Sequence, residues 1–119
     1  GIEVLPPDIN ESEVYFKVKN GKIRYGLAAI KNIGIGIISS IIKEREENGN
    51  FISFEQFINR CAGFGLNKRM VENLILAGAF DKLGVFRSKL FAVYADFLDR
   101  VMDERKNTNY SKYYLNPFF

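Results

Sequence analysis

Two short stretches near the start of the chain have β-strand patterns: the first is rich in β-forming residues and alternates hydrophobic and polar residues in its second half, and the second alternates throughout. The stretches, residues 14–19 and 22–25, flank Asn20-Gly21, the residue pair most typical of a two-residue hairpin turn. Before them, Pro6-Pro7 excludes a helix and favours an extended backbone. We therefore expect residues 1–25 to form an extended connector followed by a small β-hairpin.

Hydrophobic residues recur at three- and four-residue spacing from residue 26 onwards, which predicts helices. A short helix at residues 27–30 and a second helix ending near Asn48 flank a glycine-containing turn. Ser53, followed by Gln56, has the pattern of a capping box, and Asn67 is a second candidate helix cap. The longest pattern belongs to the last helix, and its predicted buried stripe comprises Phe86, Leu90, Val93, Tyr94, Phe97, Leu98 and Val101.

The helical pattern ends at about Arg105, and Asn, Ser, Thr and Tyr dominate the residues that follow. We therefore divide the chain into residues 1–25, a tandem helix-hairpin-helix domain at residues 26–105, and a tail at residues 106–119 that has no period and could be disordered. The predicted fold class is mainly α, with about five short helices and a small N-terminal β-hairpin. Since the chain begins with Gly1 rather than methionine, we also expect it to be excised from a longer protein.

The counts of cysteine and histidine exclude several kinds of site. The chain has one cysteine, Cys61, and no histidine, so an internal disulfide, a Ser-His-Asp triad and a zinc site are all excluded. We expect Cys61 to be a half-buried structural thiol. No apolar run reaches the roughly 18 residues that a membrane span needs, and residues 1–8 do not resemble a signal peptide. These features favour a cytoplasmic protein with no membrane partner.

The turn Asn32-Ile33-Gly34-Ile35-Gly36 has the features of a phosphate-binding loop. A helix that begins directly after a turn has unpaired amide groups at its positive end, and glycines let a phosphate approach them closely. Glycine also allows a positive φ in the turn, and we expect the side chains of Ile33 and Ile35 to point into the core. The candidate residues for binding a nucleic-acid backbone are Lys31, Asn32, Gly34, Ile35, Gly36 and Ser39.

Two other interpretations of this turn were weighed. It could be a plain glycine-rich corner between two helices, with no ligand. It could also be an incomplete dinucleotide-binding motif, but Gly34-x-Gly36 follows a helical pattern rather than a strand, and Ser39 stands where the third glycine would fall. A basic stretch without acids ends at the turn and favours phosphate contact. It comprises Lys17, Lys19, Lys22, Arg24 and Lys31.

A second turn, at residues 78–84, joins two predicted amphipathic helices in the same way. Two such turns would form a pseudo-two-fold pair able to contact both strands of a duplex, although a purely structural corner is an equally good interpretation of the second one. Its candidate backbone-binding residues are Lys82, Gly84, Arg87 and Lys89.

A row of carboxylates on the last predicted helix is the remaining candidate for chemistry. Asp96, Asp99 and Asp103 are spaced to lie on one helix face, where they could hold Mg²⁺. Arg100 lies among them, and a solvated face with ion pairs is the better interpretation. We therefore expect no metal, no cofactor and no catalytic residue in this chain.

Several segments of the chain, taken in order, carry a specific family resemblance. They are VLPPDIN at 4–10, IRYGLAAIKNIG at 23–34, REENG at 45–49, LNKR at 66–69 and AGAFD at 77–81. This combination resembles the alpha (polymerase) subunit of bacterial DNA polymerase III, a DNA-directed DNA polymerase and hence a nucleotidyltransferase. The resemblance implies a fragment that covers the end of the fingers region and the tandem helix-hairpin-helix domain.

In that family the domain contacts duplex DNA beyond the catalytic palm and supports template binding and processive DNA replication. The resemblance therefore implies double-stranded DNA and the remainder of the polymerase subunit as partners, with the active site outside this fragment. Two departures stand out. Ile35 replaces an acidic residue that the family often has between the hairpin glycines, and residues 114–119 lack the glutamine that usually begins the family's clamp-binding peptide. A docking module that contacts the sliding clamp is the alternative function.

Overall fold

Four α-helices and a three-stranded sheet make up most of the described part of the chain. The computed structural model describes the backbone of residues 1–114 and the side chains of residues 1–107. The mainly α fold with a small N-terminal sheet is therefore confirmed. The strands are β1 (Glu3–Leu5), β2 (Lys17–Lys19) and β3 (Lys22–Arg24), and the helices are α1 (Ile35–Asn48), α2 (Phe54–Cys61), α3 (Lys68–Leu76) and α4 (Arg87–Tyr114).

The helices form two helix-hairpin-helix units. The first unit runs from a 3₁₀ turn at Leu27–Ala29 through residues 30–34 into α1, and the second runs from α3 through residues 77–86 into α4. The first predicted helix is thus a single 3₁₀ turn, because the backbone is already extended at Ile30, with a ψ of 130°. Asn32 follows with a φ of 65°. Between the units, α2 contacts both α1 and α4.

The predicted β-hairpin is present, and the connector adds a third strand to it. β2 and β3 pair antiparallel across Asn20 and Gly21, whose φ angles of 53° and 73° are those of a tight two-residue turn. β1 pairs with β3 in parallel, so the strand order is β1-β3-β2. Sequence reasoning missed β1, because three residues before a proline pair are too few to show alternation.

Residues 8–12 of the connector lie inside the fold rather than beside it. Ile9 is fully buried, and its amide donates to the carbonyl of Ala79 over 3.0 Å. Asn10 forms two hydrogen bonds with the backbone of Phe51, both of 2.8 Å. Because Phe51 precedes α2 and Ala79 follows α3, this segment is held by both halves of the helical region.

The side chain of Arg45 fastens this segment to α1. Arg45 is 4% exposed, and its Nη1 donates to the carbonyls of Ile9 and Ser12 over 3.2 and 2.7 Å. Nε and Nη2 donate to a carboxylate oxygen of Glu46, so the buried positive charge has a partner. The three- and four-residue spacing of Ile38, Ile41 and Arg45 places the aliphatic stem of Arg45 on the buried face of α1, but this pattern carries no sign that the charged head is buried too.

Aromatic side chains form the centre of the core. Phe54 contacts Phe80 edge to face, with ring centres 5.2 Å apart, and Phe57 packs on Phe80 at 5.1 Å. These contacts join α2 to the segment that follows α3. The largest fully buried side chains are Phe51, Phe54, Phe57, Phe80, Ile9, Leu27, Ile38, Ile41, Ile58, Leu74, Ile75 and Val71.

Both predicted helix caps are present. Ser53 Oγ accepts the amide of Gln56 over 3.0 Å, and Asn67 Oδ1 accepts the amide of Met70 over 2.8 Å. The capping box differs in its second half, because the side chain of Gln56 accepts the amide of Ile52, one residue before the cap. Local sequence therefore fixes where α2 and α3 begin.

The buried stripe of α4 is narrower than predicted. Phe86 precedes the helix and Val93 lies on its outer side, so both side chains are exposed and their predicted burial is wrong. The remaining members of the predicted stripe do face the core. Leu90, Leu98 and Val101 are buried, and Tyr94 and Phe97 are partly buried.

The length of α4 also differs from the prediction. The helix has 28 residues and continues to Tyr114, past the expected end near residue 105, since no glycine or proline interrupts that stretch. Residues 115–119, which contain most of the candidate clamp-binding segment, lie outside the described residues. Within the described part, no helix combines the length and the apolar character needed to cross a membrane.

Replacement of Arg45 by methionine, which keeps the length of the side chain and removes its charge, should destabilise the fold by about 3 kcal/mol. The carbonyls of Ile9 and Ser12 would lose their donor. Urea denaturation followed by circular dichroism measures the free energy of unfolding. Lys43→Met is the control because Lys43 is exposed on the same helix, and equal effects of the two substitutions would contradict the anchoring role of Arg45.

The thiol of Cys61 should be unreactive in the folded chain, because it is fully buried rather than half-buried. Burial, assisted by the negative charge of Glu44, raises the pKa of this thiol to about 12 from its ordinary value of 9.0. We expect a charged disulfide reagent to label Cys61 at pH 8 only after denaturation. Stability should fall as pH rises from 9.0 towards 12, because the unfolded thiol ionises first. Fast labelling of the folded chain would contradict this assignment.

Candidate nucleic-acid interface

Helix α1, which follows the turn of the first helix-hairpin-helix unit, begins without a side-chain cap. The carbonyl of Gly34 accepts the amide of Ile38 over 3.1 Å, and glycine has no side chain to accept another amide. The amides of Ile35, Gly36 and Ile37 have no acceptor among the described residues, and no acidic side chain lies in the first turn. This helix start therefore presents unpaired donors and the positive end of the helix dipole to solvent.

The glycines of the first turn do not have the conformational role that the sequence suggested. Gly34 has a φ of −71° and Gly36 lies inside α1, whereas the positive φ of the turn belongs to Asn32. A methyl group added at either glycine would meet no atom within 4 Å. Neither backbone conformation nor packing requires glycine here, so access of an external group to the amides is the remaining physical reason for it.

The two isoleucines of the first turn point in different directions. Ile33 is buried as predicted, but Ile35 is 51% exposed, so the expectation that it points inward is wrong. The reason is its place in the first turn of α1, because residues 34–36 are all exposed while the buried face of the helix begins at Ile38. The side chain of Ile35 therefore does not pack in the core, and a ligand could contact it.

Two polar candidates of the first turn, Lys31 and Ser39, are exposed on either side of the unpaired amides. The ammonium group of Lys31 forms no ion pair within the described part of the chain. Asn73 on α3 donates from Nδ2 to the carbonyl of Lys31 over 2.9 Å, which ties the first turn to the second unit. The sequence did not identify Asn73 as part of this site, because a polar residue at a partly exposed helix position is common and indicates no particular partner.

The second turn is held by an ion pair between Asp81 and Arg87. Nε and Nη2 of Arg87 donate to the two carboxylate oxygens over 2.9 and 2.6 Å, and Nη1 donates to the carbonyl of Leu76 over 3.1 Å. The hydrogen bond to Asp81 raises the pKa of Arg87. Gly78, with a φ of 85°, lies against this pair, and a methyl group there would lie 2.7 Å from Arg87 Nη2. Each guanidinium nitrogen of this predicted site residue thus donates one hydrogen bond within the turn itself.

The other candidates of the second turn do not reproduce the arrangement at the first. Gly84 has a φ of 81° and lies two residues before Phe86, the residue that precedes α4. Lys82 and Lys89 are both exposed. The glycine of the second turn thus shapes the backbone, and it does not lie at the start of the helix as Gly34 does.

Acids from the start of the chain offset part of the basic stretch. Lys22 lies 3.3 Å from Glu3 on the neighbouring strand, and Lys17 lies 3.9 Å from Glu13. The two charge blocks of the sequence are therefore neighbours in space. Lys31 precedes the unpaired amides in the chain and forms no ion pair with the described residues, so the electrostatic case for an anion at this turn rests mainly on that residue.

Of the three aspartates in the row on α4, Asp99 forms an ion pair with a described residue. Asp99 accepts a hydrogen bond from Lys68 over 2.9 Å, and this contact raises the pKa of the Lys68 ammonium. Among the described residues, no group of three or more potential metal ligands is close enough together to hold an ion. A solvated, paired face remains the interpretation of this row that the geometry supports.

Known proteins are similar to this chain in sequence. Residues 1–90 match the family described as the helix-hairpin-helix motif. DNA polymerase III subunit alpha of Mycobacterium leprae (strain TN) is 45% identical over 106 residues, which are 89% of this chain and 9% of the relative. The subunit of the same name from Borreliella burgdorferi is 46% identical over 107 residues, or 90% of this chain and 9% of the relative. In Treponema pallidum (strain Nichols) the identity is 38% over 109 residues, again 9% of the relative.

Gly36→Ala should stabilise the fold by about 0.5 kcal/mol, because alanine suits a helix better than glycine and the added methyl group meets open space. Gly26→Ala is the contrasting control. Its methyl group would overlap the backbone of Val14 and Tyr15, and we expect a loss of about 2 kcal/mol. Thermal unfolding of both variants measures these changes, and a destabilised Gly36→Ala variant would show that the fold itself needs this glycine.

Proposed function

The chain belongs to the helix-hairpin-helix motif family, and we propose that it binds the backbone of double-stranded DNA independently of sequence. One observation carries the proposal: the start of α1 presents unpaired amides at residues 35–37. The glycines at 34 and 36 are required neither by the backbone conformation nor by packing. Lys31 precedes these amides in the chain, and its ammonium group forms no ion pair with the described residues. A phosphate would accept hydrogen bonds from the amides and an ionic contact from the lysine.

Such a contact would position the chain on a duplex without reading its bases. Backbone amides and a lysine ammonium recognise phosphate oxygens, which are the same at every base pair. The exposed side chain of Ile35 adds an apolar contact beside the phosphate. We therefore expect affinity to depend strongly on salt and weakly on sequence.

In a longer protein this segment would serve a polymerase that carries its active site elsewhere. The chain spans 9% of the length of the relatives named DNA polymerase III subunit alpha. We infer that the parent protein is a bacterial DNA-directed DNA polymerase that acts in replication in the cytoplasm. This segment would then hold the template duplex, support processive synthesis and contact the rest of the subunit, with no catalytic residue of its own.

The first test is direct binding of the 119-residue chain to a fluorescent DNA duplex, followed by anisotropy. If two phosphates are contacted, raising salt four-fold should lower the affinity about ten-fold. Duplexes of the same length and unrelated sequence should bind equally well. A chain that binds duplex no better than a neutral polymer at low salt would overturn the proposal.

The second test places the contact at the first turn. Lys31→Glu should weaken duplex binding roughly ten-fold, because it removes one phosphate contact and introduces repulsion. Lys43→Glu makes the same charge change on an exposed residue farther along α1, and it should change affinity less than about two-fold. Gly36→Ala should also weaken binding without loss of stability. Equal effects of the two lysine substitutions would move the contact away from this turn.

The exposed apolar face of the sheet supports a second candidate function, that of a protein-docking module. Val4 and Val18 flank Ile23 in register on one face, and both valines are exposed. A surface of this kind suits contact with another protein surface, such as the rest of the polymerase subunit or a sliding clamp. Backbone amide NMR during a duplex titration distinguishes the two functions. Shifts centred on residues 34–39 favour DNA binding, and unchanged signals there favour docking.

A further inference from the structure

Phe86 is the most exposed large hydrophobic side chain of the described residues, at 84%. It precedes α4 directly, and its carbonyl accepts the amides of Lys89 and Leu90, each over 3.1 Å. Its backbone is therefore fixed by the start of a 28-residue helix while its ring projects from the surface. Packing in the hydrophobic core therefore does not explain why a phenylalanine stands at this position.

Phe86 occupies the place at the second turn that Gly34 occupies at the first. In each unit the carbonyl of this residue accepts the first helical hydrogen bond, from Leu90 in one case and Ile38 in the other. The first turn has no side chain at that place, and the second has a phenyl ring. The two helix starts therefore present different chemistry, namely amide donors at one and an apolar surface at the other.

The guanidinium of Arg87, at the start of α4, is already paired within the chain. Arg87, the residue after Phe86, gives its donors to Asp81 and to the carbonyl of Leu76. What remains is an apolar ring flanked by Lys82 and Lys89, both exposed. Basic residues around an exposed aromatic ring favour a polyanion that also offers apolar surface.

We propose that Phe86 contacts the deoxyribose rings and base edges in a groove of the bound duplex, while the first turn holds a phosphate. This inference rests on the proposed DNA binding. Sugars and base edges are the apolar parts of a duplex, and apolar side chains enter grooves to meet them. The Asp81–Arg87 ion pair would hold the start of α4, and with it the ring, in place before binding.

Tryptophan substitution gives a direct test, because the chain contains no tryptophan. In the Phe86→Trp variant, saturating duplex DNA should change the emission and reduce quenching by acrylamide roughly two-fold or more, because the ring leaves water. Phe16→Trp is the matched control, since Phe16 is another exposed phenylalanine, at 66%, and precedes β2. Its emission and quenching should not change.

Affinity separates this contact from the phosphate contact. Phe86→Ala should weaken duplex binding about five-fold and leave the dependence on salt unchanged, because an apolar contact releases no counterions. Lys31→Glu should lower that dependence. The melting temperature of Phe86→Ala should match that of the unsubstituted chain, since the ring is exposed.

Each remaining outcome would be decisive. If anisotropy shows duplex binding but the Phe86→Trp and Phe16→Trp variants behave alike, the inference about Phe86 is overturned and the DNA-binding proposal stands. The same conclusion follows if Phe86→Ala binds with full affinity, which would leave the ring to a protein surface. If no variant and no unsubstituted chain binds duplex, both proposals fall.

Discussion

Buried carbonyl groups need hydrogen-bond donors, and Arg45 meets this constraint for Ile9 and Ser12. A buried guanidinium is costly unless its own donors are used, and here Ile9, Ser12 and Glu46 use them. Ser12 in turn donates through Oγ to the carbonyl of Tyr25 over 2.6 Å. The sheet and α1 are thus joined through one cluster, and the first turn between them has both of its ends fixed.

Two turns of the same architecture are built here by different means. The first relies on Asn32 for its change of direction and keeps the start of α1 uncovered. The second relies on Gly78 and on the ion pair between Asp81 and Arg87, and it places an aromatic ring at the start of α4. Shared architecture therefore fixes where the two helix starts lie, while the residues at those starts decide what each can contact.

Local features of the fold could be predicted from the sequence, and long-range pairings could not. The caps at Ser53 and Asn67 depend on residues three positions away, so the sequence pattern is sufficient to identify them. The exposure of Ile35 depends on how far the core extends beneath α1, which hydrophobic spacing does not report. Arg87 was identified as a site residue from its charge alone, and only the fold shows that Asp81 engages that charge. The parallel third strand was missed because its three residues are too few to show alternation and its partner is distant in sequence.

The hydrogen bond from Asn73 to the carbonyl of Lys31 has a consequence for how the two turns would act together. Because it joins α3 to the first turn, the separation between the two helix starts is set by the fold and not by a flexible linker. Once one turn touched a duplex, the other would be held at a high effective concentration over its own contact, with little further loss of entropy. A duplex too short to span that separation would engage one turn only. The affinity for DNA would therefore depend on the length of the duplex.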